Sequence, residues 1–221
     1  MQFLSSSVGR KVLMAITGFF MLFFVTVHLM GNSSVFIGPS ALNTYAEKLH
    51  SLGILVWIFR GFMFLMLAVH VFFGITLTLE NSAANPSKYA KSRKLKATFA
   101  SRTMIWTGVL LLAFLVYHLL QFTFRITPDI LPAAVANRPG DVYGMMLGSF
   151  RITTISLVYV AAMVTLFFHL SHGIQSFFQT VGCSNDNTLP KVTMVGKLIS
   201  VLFLVGYSAI PALILAGILK K

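Results

Sequence analysis

The chain has 221 residues, of which 57% are hydrophobic and 10% charged, and its mean hydropathy is +0.84; soluble domains carry about 25% charged residues, so a water-soluble globule is excluded and the bilayer is the expected solvent. A formal charge of +12 would suit nucleic acid, but its distribution, described below, follows the rims of apolar segments instead. The single cysteine, Cys183, excludes an internal disulfide, a thiolate cage for zinc or an iron–sulfur cluster, and a C-x-x-C-H haem attachment site.

Residues 1–7 carry no charged side chain and no A-x-A cleavage site follows the first apolar run, so that run is expected to stay in the mature protein as a helix. It extends from Val12 to Met30 and contains His28. The loop after it holds the turn-forming Gly31-Asn32-Ser33-Ser34 and Gly38-Pro39, then a segment from Ala41 to Leu52 expected to lie along the membrane surface. The second run, Leu52 to Leu79, contains Arg60 and His70. A dense basic loop follows, with Lys88, Lys91, Arg93, Lys94, Lys96 and Arg102, suited to anionic head groups or an acidic partner as well as to setting topology. The third run, Met104 to Phe124, contains His118. The loop from Arg125 to Arg151, with Pro128, Pro132, Pro139 and Gly140, is predicted to be irregular. The fourth run, Ile152 to Phe178, contains His169 and His172. The fifth, Leu198 to Leu219, has no histidine, and Pro211 is expected to kink it.

Each run approaches or exceeds the roughly 20 residues that a helix needs to cross about 30 Å of hydrocarbon. The links are too short for a soluble domain with its own core. The prediction is one all-α domain over 1–221, a five-helix transmembrane bundle with no fixed-period repeat and no low-complexity linker. Ten basic residues fall on the side of Arg10 and Lys11, against Lys48, Arg125, Arg138, Arg151, Lys220 and Lys221 on the other. By the positive-inside rule the N-terminus is then cytoplasmic and the C-terminus outside.

Ionisable groups in the hydrocarbon are costly and mark function. A histidine in one apolar run is more often a hydrogen-bonded packing residue than a ligand, so depth has to decide. At a rise of about 1.5 Å per residue, His28 lies ~24 Å and His118 ~21 Å from the inner end of their parallel helices, while His70 and His169 each lie ~14 Å from it. Two level pairs, one histidine from each of four helices, are what two stacked bis-histidine haems require. His172 shares the face of His169 but would sit only ~9 Å deep; it is expected to hydrogen-bond a haem propionate or a partner subunit. Gly74 and Gly173 follow the inner histidines by four residues and share their faces, which fits a flat macrocycle close to the backbone and equally a close helix approach. Arg60, in the outer half, needs an anion, which an outer haem's propionates would supply, or it snorkels to the interface. Glu47 and His50, at the outer rim, are candidates for proton exchange with a quinone.

Taken together, Ser6 to Gly18 (Ser-Ser-Val-Gly-Arg-Lys-Val-Leu-Met-Ala-Ile-Thr-Gly), His28-Leu29-Met30-Gly31-Asn32, His70-Val71-Phe72-Phe73-Gly74, Tyr117-His118 and His169-Leu170-Ser171-His172-Gly173-Ile174-Gln175-Ser176 resemble the diheme cytochrome b (b558-type) membrane anchor of succinate:quinone oxidoreductases and fumarate reductases, the complex II class, over nearly the whole chain. The resemblance implies two haem b groups, with His28 and His118 on the distal one and His70 and His169 on the proximal one. It further implies a flavoprotein subunit with FAD and an iron–sulfur subunit on the cytoplasmic face, a quinone, expected to be menaquinone, as the membrane substrate, and residence in the cytoplasmic membrane of a prokaryote. The dicarboxylate chemistry would take place in the flavoprotein. Some diheme members carry a glutamate two residues before the fourth ligand, where this chain has Phe167, so a proton route along that helix does not carry over. The alternatives are a haem b subunit of another quinone-linked enzyme, whose histidines are distributed differently, and a small transporter with histidine relays, which would need polar lining or broken helices where this chain has Phe, Leu, Val and Met.

Overall fold

Side chains in these runs are apolar at most positions, so in hydrocarbon the backbone is the main polar component and must satisfy its N–H and C=O groups internally. The computed structural model describes residues 6–84, 98–126 and 140–220, and over these it is helical with no strand. Helix α1 is Ser7–Asn32, continued by a 3-10 turn at Ser33–Phe36; α2 is Pro39–Ser51; α3 is Ile54–Ala83; α4 is the short Phe99–Arg102. Helix α5, Met104–His118, runs on into a π-turn at Leu119–Thr123; α6 is Val142–Phe150, α7 is Thr153–Thr180 and α8 is Leu189–Leu215. Five of these, α1, α3, α5, α7 and α8, with the turns that extend α1 and α5, are long and apolar enough to cross a membrane.

The boundaries differ from the apolar runs where capping and helix propensity outweigh hydropathy. Helix α1 starts at Ser7 rather than Val12 because Ser6 Oγ accepts the Gly9 N–H at 3.0 Å, a side-chain cap on the first turn. Helix α8 starts at Leu189 rather than Leu198 and takes in Lys191 and Lys197; lysine lowers hydropathy but is a good helix former. It stops at Leu215 rather than Leu219, where Gly217 takes a φ of 69°, the left-handed position that commonly closes a helix. Pro211 is buried inside α8 and does not end it.

One expectation is overturned. The loop from Arg125 to Arg151 is not irregular throughout, because Val142–Phe150 forms α6, with seven of its side chains or glycines buried. Asp141 Oδ1 accepts the Gly144 N–H at 2.8 Å and caps it, and the run Val-Tyr-Gly-Met-Met-Leu-Gly-Ser-Phe is apolar enough to be driven inward. Tyr143 OH donates to the Lys220 carbonyl at 3.0 Å, and the Tyr143 N–H donates to Asn43 Oδ1 at 2.9 Å. Helix α6 thereby joins α2 and the end of α8. The expectations for Lys88, Lys91, Arg93, Lys94, Lys96, Pro128, Pro132, Arg138, Pro139 and Lys221 lie outside the described residues.

Helix α8 packs along α7, α5 packs on α7, and α1 packs on α3. At one rim Arg10 and Glu80 form an ion pair between the start of α1 and the end of α3. At the other, Val35, Leu42, Leu147, Phe150, Tyr159 and Ile214 make a buried apolar cluster. Below, inner denotes the Arg10 rim and outer the rim closed by α2 and α6.

Candidate functional site

Each of α1, α3, α5 and α7 carries one of the depth-matched histidines, and the helices bring them together in twos. The rings of His28 and His118 have centroids 5.9 Å apart with planes at 88°. Those of His70 and His169 are 6.3 Å apart at 57°. His28 stacks on Phe24 at 5.4 Å, and His118 is flanked by Phe114, Phe122 and Tyr159 at 6.0, 5.5 and 5.9 Å. The outer pair is thus surrounded by aromatic rings.

Three of the four rings have Nδ1 against a hydroxyl from a neighbouring helix. His70 Nδ1 is 3.2 Å from Thr17 Oγ1, His169 Nδ1 is 3.1 Å from Thr107 Oγ1, and His118 Nδ1 is 3.1 Å from Tyr159 OH. Tyr159 OH in turn donates to Gln121 Oε1 at 2.8 Å. Gln121 is fully buried on the π-turn, and its Nε2 has no hydrogen-bond partner among the described residues. A π-turn adds a residue to the helical repeat and re-aims the side chains it carries, and such turns often fall at functional sites. Beside His28, Asn32 Nδ2 donates to the His28 carbonyl at 2.9 Å, and a Cβ on Gly31 would run into the Tyr45 ring. These contacts give physical roles to both ends of the His28–Asn32 segment.

The donor set fits haem. Two imidazoles bound to one metal through Nε2, with bonds of about 2 Å and ring centres about 1 Å behind each nitrogen, have centres about 6 Å apart; the observed separations are 5.9 and 6.3 Å. Among the described residues no group of three or more His, Cys, Asp or Glu comes together. Two imidazoles alone under-coordinate a bare ion but complete one whose four equatorial positions a macrocycle fills. Gly74 and Gly173 support the same fit. A Cβ on Gly173 would meet nothing within 4 Å, and one on Gly74 only Met14 Cε at 3.8 Å, so neither glycine serves a close helix approach, and both present bare backbone beside an inner histidine.

The remaining candidates belong to neither ring pair. Arg60 is exposed on α3 with its guanidinium 4.9 Å above the Trp57 ring. His172 is half-buried on α7, one turn inward of His169. Glu47 and His50 are exposed on α2, where His50 Nδ1 donates to the Ala46 carbonyl at 2.8 Å. The sequence reasoning missed Thr17, Thr107, Tyr159 and Gln121. The available signal was the Thr-Gly dipeptide in both α1 and α5, the first of which, Thr17-Gly18, closes the Ser6 to Gly18 segment.

Compared with known families, residues 86–206 match the succinate dehydrogenase/fumarate reductase transmembrane subunit. The matched stretch is more than half of the chain and includes His118 and His169. No curated protein and no solved structure matches.

Proposed function

Since the chain belongs to the succinate dehydrogenase/fumarate reductase transmembrane subunit family, we propose that this membrane subunit carries electrons between a peripheral iron–sulfur subunit and a membrane quinone by way of two haem b groups. The observation that carries the reading is the approach of four imidazoles from four helices as two pairs, 5.9 and 6.3 Å between centres. His28 and His118 would hold the outer group, and His70 and His169 the inner one. A haem bound in each place supplies a one-electron carrier, and two at different depths span the bilayer in steps.

The chain's own residues do the rest. Phe24, Phe114 and Phe122 exclude water from the outer imidazoles, and the hydroxyls of Thr17, Thr107 and Tyr159 orient three of the rings. Arg60 is assigned to anionic propionates of the outer group, which its five N–H donors suit. His172 is assigned to a propionate of the inner group or to the partner subunit. Glu47 and His50, exposed near the outer rim, are assigned to proton exchange during quinone turnover. We place the N-terminus in the cytoplasm, with the flavoprotein and iron–sulfur subunits on that face, in a prokaryotic cytoplasmic membrane with menaquinone as the quinone.

The test uses the assembled complex. Succinate should reduce part of its haem absorbance, and a menaquinone analogue added afterwards should reoxidise it. Haem that neither succinate reduces nor quinone reoxidises would contradict the proposed route.

A further inference from the structure

Both rings of the inner pair have a threonine hydroxyl at Nδ1, and His70 also faces the Met14 carbonyl. Thr17 Oγ1 lies 2.7 Å from the Leu13 carbonyl and 3.2 Å from the Met14 carbonyl, and Thr107 Oγ1 lies 3.1 Å from the Thr103 carbonyl and 3.0 Å from the Met104 carbonyl. A hydroxyl has one proton and a carbonyl only accepts, so each threonine spends its proton on its own helix. What remains toward His70 and His169 is an oxygen lone pair. With the threonine proton assigned to these carbonyls, Nδ1 of each ring is the donor to the hydroxyl oxygen, which leaves the lone pair on Nε2.

The same helices show why the rings can lie there. Glycine follows each threonine, and a Cβ at Gly18 would sit 3.3 Å from His70 Cε1, one at Gly108 3.5 Å from His169 Cε1. In both helices this Thr-Gly precedes the outer histidine at the same spacing, Thr17 to His28 and Thr107 to His118. That spacing is about three helical turns, so threonine and outer histidine share a face. Both inner histidines are also followed by glycine at the fourth position, Gly74 and Gly173. The α1–α3 pair thus repeats in the α5–α7 pair, a relation that a fixed period does not capture because the connecting loops differ.

We propose that Thr17 and Thr107 are the positioning residues of the inner site: paired hydrogen-bond acceptors that fix the Nδ1–H form of His70 and His169 and strengthen their Nε2 as donors to the iron. This rests on the two-haem reading above. An acceptor on the far nitrogen raises the basicity of a metal-bound imidazole, and a stronger donor favours the oxidised iron. Removing it therefore raises the midpoint potential of the inner haem.

The experiment is a redox titration of the full-length chain in solubilised membranes, comparing the parent with Thr17→Val, Thr107→Val and the matching serine variants. The component lost in His169→Ala marks the inner haem. Valine should shift that component upward, or lose it, while the outer component stays where it is, and serine should restore the parent value. An inner potential indifferent to both valine substitutions, or serine variants as disturbed as the valine ones, would overturn the proposal. A parent chain without haem would instead overturn the two-haem reading itself.

Discussion

The structure gives the residues around the inner pair two separate duties, orienting a ring and leaving room beside it. Gly18 and Gly108 let the rings of His70 and His169 lie against α1 and α5. Gly74 and Gly173 face no such ring: a Cβ at Gly74 would meet only Met14 Cε at 3.8 Å, and one at Gly173 nothing within 4 Å, which under the two-haem proposal leaves room for the inner group. Gly173→Leu separates this from a packing role. No atom within 4 Å opposes a Cβ there, and leucine is a better helix former than glycine, so the protein should accumulate and keep its outer haem while the inner haem is lost from the spectrum. Unchanged haem content in that variant would remove Gly173 from the site. The threonines were hidden in the sequence for a physical reason. Thr26, Thr76, Thr78 and Thr165 all bond back to their own helix, the usual behaviour of a hydroxyl in an apolar span. Thr17 and Thr107 do so too, and differ in what lies across from the remaining lone pair.

At the scale of elements, α6 is the piece that the sequence did not disclose. Nine residues that follow Pro139-Gly140 and contain Gly144 and Gly148 resemble a loop, and the drive inward comes from α2, α7 and α8, which it meets only in the fold. The transmembrane helices were legible because hydrocarbon admits few other conformations, and their ends were not, because caps and lysines decide them. Asp141 caps α6 and also accepts from Asn43 Nδ2 at 3.1 Å. Asp141→Ala should cost about 0.5–2 kcal/mol, the usual loss for an N-cap, read as a lower thermal midpoint in detergent, with the inner haem spectrum intact because α6 lies at the opposite rim. A melt unchanged from the parent would mean that the rest of the outer cluster holds α6 without its cap.

For the molecule as a whole, the arrangement of the histidines followed from counting residues along straight spans, since a fixed rise converts sequence position into depth. Which hydroxyl meets which ring did not follow, because depth says nothing about the rotation of one helix against another. Depth sets the level of each pair, and rotation turns each imidazole toward its partner. The family match spans 86–206 and so includes one histidine of each pair, while His28 and His70 lie in the other half of the repeat. The most direct measurement is therefore the haem-to-protein ratio of the purified chain and of His28→Ala, His70→Ala, His118→Ala and His169→Ala, with His172→Ala as the control. The account predicts two haems per chain, one lost in each of the four variants and none in the control; a parent ratio of one or none, or ratios indifferent to the four substitutions, would contradict it.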